Sequence, residues 1–366
     1  MANSNKRYIF SPLLDFILLG GGSLILLPLL MFLWPLEHIR HQRVYSIFIA
    51  ISVFFTYAVN FPHFMYSYQI FYEDFLKRLK GEIDKPLQPL YIWTSIVLPL
   101  VLANLLFFCY LKHDFMIFGF LGNVGLLVNG WHYAKQGFGV LIVTSVYQQV
   151  FFKPWERRVL LWNANILWAY LWIMINTGLH HQEFWHVNVY TLGFPREVQN
   201  LFFCLACAGG VGSVYVLIRK YIRDSVFPPL SGIVGYGTSL YFWLVFLDIT
   251  STIHFHPVVL LIPSMHAIQY ITIVFKMKHN ELDLNRITPL ALAAFMAIGL
   301  GLGFLSFEAV PRLLDKTFTP HHDHLYEEFL IVIIFAVFIN IHHYFIDNVI
   351  WRKENSKVNK YLYGIH

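Results

Sequence analysis

The chain alternates long apolar runs with short polar interruptions from one end to the other. Runs near 12–34, 45–72, 89–111, 114–148, 159–179, 199–218, 228–247, 256–276, 288–306 and 327–350 each reach the ~18–20 residues a helix needs to cross hydrocarbon. The pattern predicts an all-α, polytopic integral membrane bundle of about ten transmembrane helices, forming a single transmembrane domain over 1–366. Several boundaries are punctuated. Lys85-Pro86 and Pro89 precede the third run, Phe227-Pro228-Pro229 the seventh and Thr288-Pro289 the ninth, where proline suits a first helical turn. Gly20-Gly21-Gly22 and Gly299, Gly301 and Gly303 are small-residue patches that let helices approach closely. The run 114–148 is too long for one straight span. It either tilts and overshoots, or breaks at Gly137-Phe138-Gly139 into a re-entrant piece. The first run, ending near Trp34, carries no small-residue cleavage site and reads as a retained helix.

Composition agrees with this pattern. Hydrophobic residues make up 57% of the chain and charged residues only 13%, about half the charge of a soluble domain. A net charge of +5 could suggest an acidic partner, but the distribution answers otherwise. With the N-terminus in the cytoplasm, only Arg40, Arg43, Lys112, Arg196, Arg312 and Lys316 of the 26 basic residues fall outside. That asymmetry is the positive-inside rule for an even number of spans with both termini cytoplasmic. The expected location is a bacterial-type inner membrane, and nucleic acid is not an expected partner. Cys204-x-x-Cys207 places two thiols on one helix face. Without a second pair, these and Cys109 read as small buried core residues rather than a zinc site.

The candidate chemistry lies inside the apolar runs. Histidines are costly in hydrocarbon and need a reason to be there. Five occur: His63, after Asn60 and Pro62; His132, before Lys135 and Gln136; His266, before Gln269 and Tyr270; and the pair His342-His343, with Asp347 one turn beyond His343. His63 to Glu73, His266 to Lys276 and His342 to Arg352 are each ten residues apart, about 15 Å of helix. In the expected topology these helices run in the same direction, so their histidines share one depth near the midplane. His132 and Lys135 join that layer if the fourth helix continues. Imidazole is a common ligand for iron, copper and zinc. His63, His132, His266, His342 and His343 are therefore the expected ligands. Asn60, Gln269 and Asp347 would orient them, and Lys135 or Tyr270 would contact substrate or supply a proton. A second group, His180, His181, His186, Asp248, His254, His256 and His321-His322-Asp323-His324, falls in outer loops, where it reads as a surface metal site or a lid.

Asn340 followed by His342-His343 resembles, over these few residues, the final histidine box of membrane fatty-acid desaturases and hydroxylases, which implies iron. The earlier His-x3-His and His-x2-His-His boxes of that family are absent from this chain. The plan of isolated histidines on separate spans is similar to membrane carotenoid-cleaving dioxygenases, whose intramembrane iron is thought to be held by four histidines. The expectation is a His-ligated membrane metalloenzyme, with non-haem iron, that oxidises, oxygenates or desaturates a hydrophobic, lipid-like substrate and draws on an electron donor. Two other readings fit the same residues: a haem b redox protein, with facing histidines as axial ligands, and a transporter or proton-coupled carrier using the histidines as a relay. Gly-rich phosphate loops, Gly-x-Ser-x-Gly elbows and His-Glu-x-x-His pairs are absent, which removes P-loop, serine-hydrolase and zincin chemistry.

Overall fold

The computed structural model describes residues 8–32, 42–112, 115–184, 187–246, 258–318 and 330–364. Its main elements are ten helical rods: α1 (Pro12–Phe32), α2 (Ser46–Tyr72), α3 (Lys85–Lys112), α4 (Phe115–Tyr147), α5 (Pro154–Ile175), α6 (Arg196–Asp224), α7 (Leu230–Phe246), α8 (Val258–Asp283), α9 (Pro289–Phe318) and α10 (Leu330–Ile350). Among the described residues, eight helices are long and apolar enough to cross a membrane, and α7 is a shorter apolar helix. The protein is thus an all-α, multi-pass membrane bundle. One small addition is a hairpin of β1 (His181–Phe184) and β2 (Val187–Tyr190), paired antiparallel between α5 and α6.

The local sequence explains the helix ends. Ser11 accepts a hydrogen bond from the Leu14 amide and Pro12 follows it in the first turn. Thr288 does the same for Ala291 ahead of Pro289. Both are N-caps that satisfy an orphan amide where the helix begins. Interior prolines act differently. Wide π-helical turns occupy Thr56–Asn60, Trp93–Val97 and Leu305–Ala309, and each ends two residues before a proline: Pro62, Pro99 or Pro311. A proline has no N–H for the preceding turn, so the register widens around it and carbonyls are released.

Contacts group the chain into two compact units, interleaved in sequence: 1–60, 131–170 and 200–276 in the first, and 61–130, 171–199 and 277–366 in the second. In the first unit, Leu27, Leu30, Phe48, Trp243, Phe246, Leu261, Ile262 and Met265 form a buried apolar cluster. Glycines set its helix spacings. Gly20 has φ of 147°, a conformation that side chains resist, and it kinks α1. A Cβ on Gly235 of α7 would stand 2.6 Å from the Leu19 carbonyl oxygen beside that kink. A Cβ on Gly137 of α4 would stand 2.7 Å from Ser239 Cβ. Gly137 is therefore a contact point, and α4 runs unbroken for 33 residues without the alternative break at Gly137-Phe138-Gly139. Cys204 and Cys207 are exposed on α6, contrary to the expectation of core positions, whereas Cys109 is buried. In lipid an outward face is as apolar as an inward one, so hydrophobicity alone does not mark the interior.

In the second unit α9 packs on the α2 segment from Phe61 onward. A Cβ at Gly299 would lie 2.1 Å from Tyr66 Cε1, and one at Gly303 3.0 Å from the Phe61–Pro62 backbone. The Tyr66 hydroxyl completes the contact by donating to the Met296 carbonyl at 3.3 Å. Phe64, Met65, Phe307 and Ile339 fill the space beside it, and Leu98, Leu102 and Ile341 join α3 to α10.

Candidate functional site

Each unit holds a pair of buried imidazoles. In the second unit, His63 of α2 is 2% exposed and His343 of α10 is fully buried. Their ring centroids are 4.9 Å apart and their planes nearly perpendicular, at 87°. Asp347 lies one turn beyond His343, with a carboxylate oxygen 3.5 Å from Nε2. Ser67, one turn beyond His63, donates its hydroxyl to the other oxygen of Asp347 at 2.9 Å. Two turns of α2 and two of α10 thus interlock through a His–Ser and a His–Asp pair, each at i, i+4.

His342, the immediate neighbour of His343, faces elsewhere because successive helical residues are rotated by about 100°. Its Nε2 lies 2.8 Å from the carbonyl of Thr94, and a carbonyl can only accept, so Nε2 carries the proton. Nδ1 then accepts from the Tyr68 hydroxyl at 2.7 Å. The Thr94 carbonyl is available because Pro99, five residues on, has no N–H, while the Leu98 amide already bonds Trp93. The neighbouring Ser95 carbonyl accepts from Tyr72 at 3.3 Å. His342 is accordingly a strut between α10, α3 and α2, with both ring nitrogens used. It stands apart from the His63–His343 pair it was expected to join.

In the first unit, His132 of α4 and His266 of α8 are 6% and 1% exposed, with ring centroids 4.8 Å apart at 70°. Tyr133 stacks on His266, centroids 4.0 Å apart and 19° from parallel. The Gln136 amide donates to the His266 carbonyl at 2.9 Å and to Gln269 Oε1 at 3.1 Å. Gln269, expected to orient the His266 ring, instead donates to the Leu19 carbonyl at 2.6 Å and meets Ser239 at 3.3 Å. It fastens α8 to the kink of α1. Lys135 is half-buried, its ammonium 4.5 Å from the centroid of Trp131, a cation–π contact that eases the cost of the charge. Tyr270 is buried at 2% exposure. Asn60 closes the π-helical turn Thr56–Asn60 and is half-buried.

The ring spacings carry chemical information. With metal–nitrogen bonds of ~2.0–2.1 Å, a ring centroid sits about 3.1 Å from a bound ion. Two imidazoles on one ion at angles between ~90° and ~110° then have centroids roughly 4.4–5.1 Å apart. Both pairs fall in that range. A bis-histidine haem sets its axial rings on opposite sides of the iron, which requires about 6 Å or more. Neither pair has that spacing. Sequence inspection missed Ser67, Tyr68, Tyr133 and Ser239. Only Ser67 carried a signal, its i+4 spacing from His63.

Of the outer histidines, His180 is exposed and His181 begins β1, while His186, Asp248, His254, His256 and His321-His322-Asp323-His324 lie outside the described residues. Comparison with protein-family models, with curated proteins and with solved structures finds no match to this chain.

Proposed function

We propose that this chain is an integral-membrane metalloenzyme that holds a transition metal, iron by preference, with buried imidazoles and oxidises a hydrophobic, lipid-like substrate arriving from the bilayer. The observation that supports it most is the His63–His343 pair, two buried rings 4.9 Å apart with a carboxylate at one of them. His63 and His343 are the proposed ligands of this ion; His132 and His266, in the other unit, form a second pair of the same spacing. Asp347, held by Ser67, orients the His343 ring, as a carboxylate does behind a ligating histidine. Tyr133 fixes the ring plane of His266 from its face. His342 is left out of the ligand set because its lone pair is already taken by Tyr68.

A bound iron would supply one-electron and oxygen chemistry, and an external electron donor would be its partner. The protein's part is to exclude water, orient the imidazoles and present an apolar surround in which a lipid-like substrate is soluble. Edge-to-face packing of aromatic rings produces the same centroid spacing without an ion, so the discriminating measurement is elemental analysis of the purified protein. The expected result is a stoichiometric transition metal in wild type and less than ~10% of it in His63→Ala/His343→Ala. Metal-free wild type, or full occupancy in that variant, would remove the proposal. A bacterial inner membrane is the proposed location.

A further inference from the structure

A cavity of about 360 Å³ opens in the second unit, lined by Gln69, Tyr72, Glu73, Lys278, Ile287, Ala291 and Phe295. It is separate from the histidine pair. His63 and Glu73 are ten residues apart on one helix, about 15 Å. Tyr72 is the last residue of the α2 span and Pro289 the first of α9, which sets the cavity at the level of the span ends, where lipid headgroups lie. Its volume is within the ~300–1,000 Å³ of small-molecule sites.

The walls divide by chemistry. Ile287, Ala291 and Phe295 form one side, and α9 continues the apolar surface outward through Leu290 and Ile298, which are 79% and 51% exposed. The other side carries charge. The Lys278 ammonium is buried, 3.3 Å from Glu73 and 3.1 Å from Glu281, with Phe295 beneath it at 5.2 Å. Glu73 also meets Lys357. The lining itself carries one lysine and one glutamate, Lys278 and Glu73, so the site is neither an anion trap nor a cation trap. An ammonium has three N–H donors and the two carboxylates take two of them, leaving one for a phosphate oxygen. The Glu73 carboxylate is more than a third exposed and has acceptor capacity for a primary ammonium. A quaternary ammonium needs an aromatic cage, and the Phe295 face is already covered by Lys278.

We infer that this cavity binds the headgroup of a zwitterionic phospholipid carrying a primary amine, phosphate toward Lys278 and amine toward Glu73, with an acyl chain along α9. The site does not depend on the metal. The test uses the full chain in detergent, with binding of short-chain phosphatidylethanolamine, phosphatidylcholine, phosphatidylglycerol and free phosphoethanolamine measured by titration. Phosphatidylethanolamine is expected to bind ~10-fold or more tightly than the other three, one charge-assisted contact's difference. Lys278→Met and Glu73→Gln should each lose a similar factor. Ala291→Trp fills the apolar wall without touching the ion pairs, and it should abolish binding at unchanged Tm, which decides the matter if the charge variants fail to fold. Equal or tighter binding of phosphatidylglycerol, phosphatidylcholine or free phosphoethanolamine, or wild-type affinity in Ala291→Trp, overturns the assignment.

Discussion

The His342 imidazole donates to the Thr94 carbonyl at 2.8 Å, and that bond exists because Pro99 cannot supply the helical N–H the carbonyl would otherwise receive. The two residues should therefore be coupled energetically. Loss of His342 leaves a buried carbonyl and the Tyr68 hydroxyl without partners, which costs about 1–3 kcal/mol. In a Pro99→Ala background a helix amide can take the carbonyl, so His342→Ala should cost about 1 kcal/mol less there. Thermal unfolding of the four members of that cycle measures the coupling. Simple additivity would contradict the account.

Adjacent histidines should separate by phenotype. His342→Ala is expected to lower Tm while retaining the wild-type metal content, whereas His343→Ala should lose the metal. Asp347→Asn keeps the shape but removes the charge behind His343, and should weaken metal affinity by ~10–100-fold, as other outer-shell losses do. Competition with a graded chelator series reads that difference.

Close helix approach at Gly299 leaves no room for a methyl group, since the added Cβ falls 2.1 Å from the Tyr66 ring. Gly299→Ala should destabilise the second unit by ~1–3 kcal/mol through overpacking. Gly301→Ala, where nothing lies within 4 Å, should be neutral within ~0.5 kcal/mol. The contrast between two glycines two residues apart on the same helix is the informative quantity.

Acid should weaken the ion-pair cluster of Glu73 with Lys278 and Lys357. Burial raises the proton affinity of Glu73, but Lys278 and Lys357 outweigh it and hold the carboxyl below its ordinary value. A carboxylate with a depressed folded-state pKa contributes stability above its unfolded value, and that contribution is lost as pH falls through the folded one. The Tm gap between wild type and Glu73→Gln should thus be widest near neutral pH and close below ~4, the ordinary glutamate range. A gap that persists in acid would show that Glu73 acts through packing alone.

The helices were legible because hydrocarbon imposes a length and an apolar composition on anything that crosses it. Thr288-Pro289 even marked where α9 begins. Counting residues also places each histidine along its own helix. What counting does not give is azimuth. His342 and His343 are indistinguishable as letters, yet one is tied to Tyr68 and Thr94 and the other faces His63. The same limit hid the outward face of Cys204 and Cys207, and it hid the part Gln269 plays against Leu19, a contact 250 residues away that depends on a kink at Gly20.

The unbroken α4 has a further consequence. A 33-residue rod is about 50 Å long, against a hydrocarbon slab of ~30 Å. In a bilayer such a surplus is absorbed by leaning or by protruding into water, and the lean is set by packing against neighbouring helices and by anchors at the interfaces. His132 rides on that rod, so whatever sets the lean of the rod also sets the attitude of that buried imidazole.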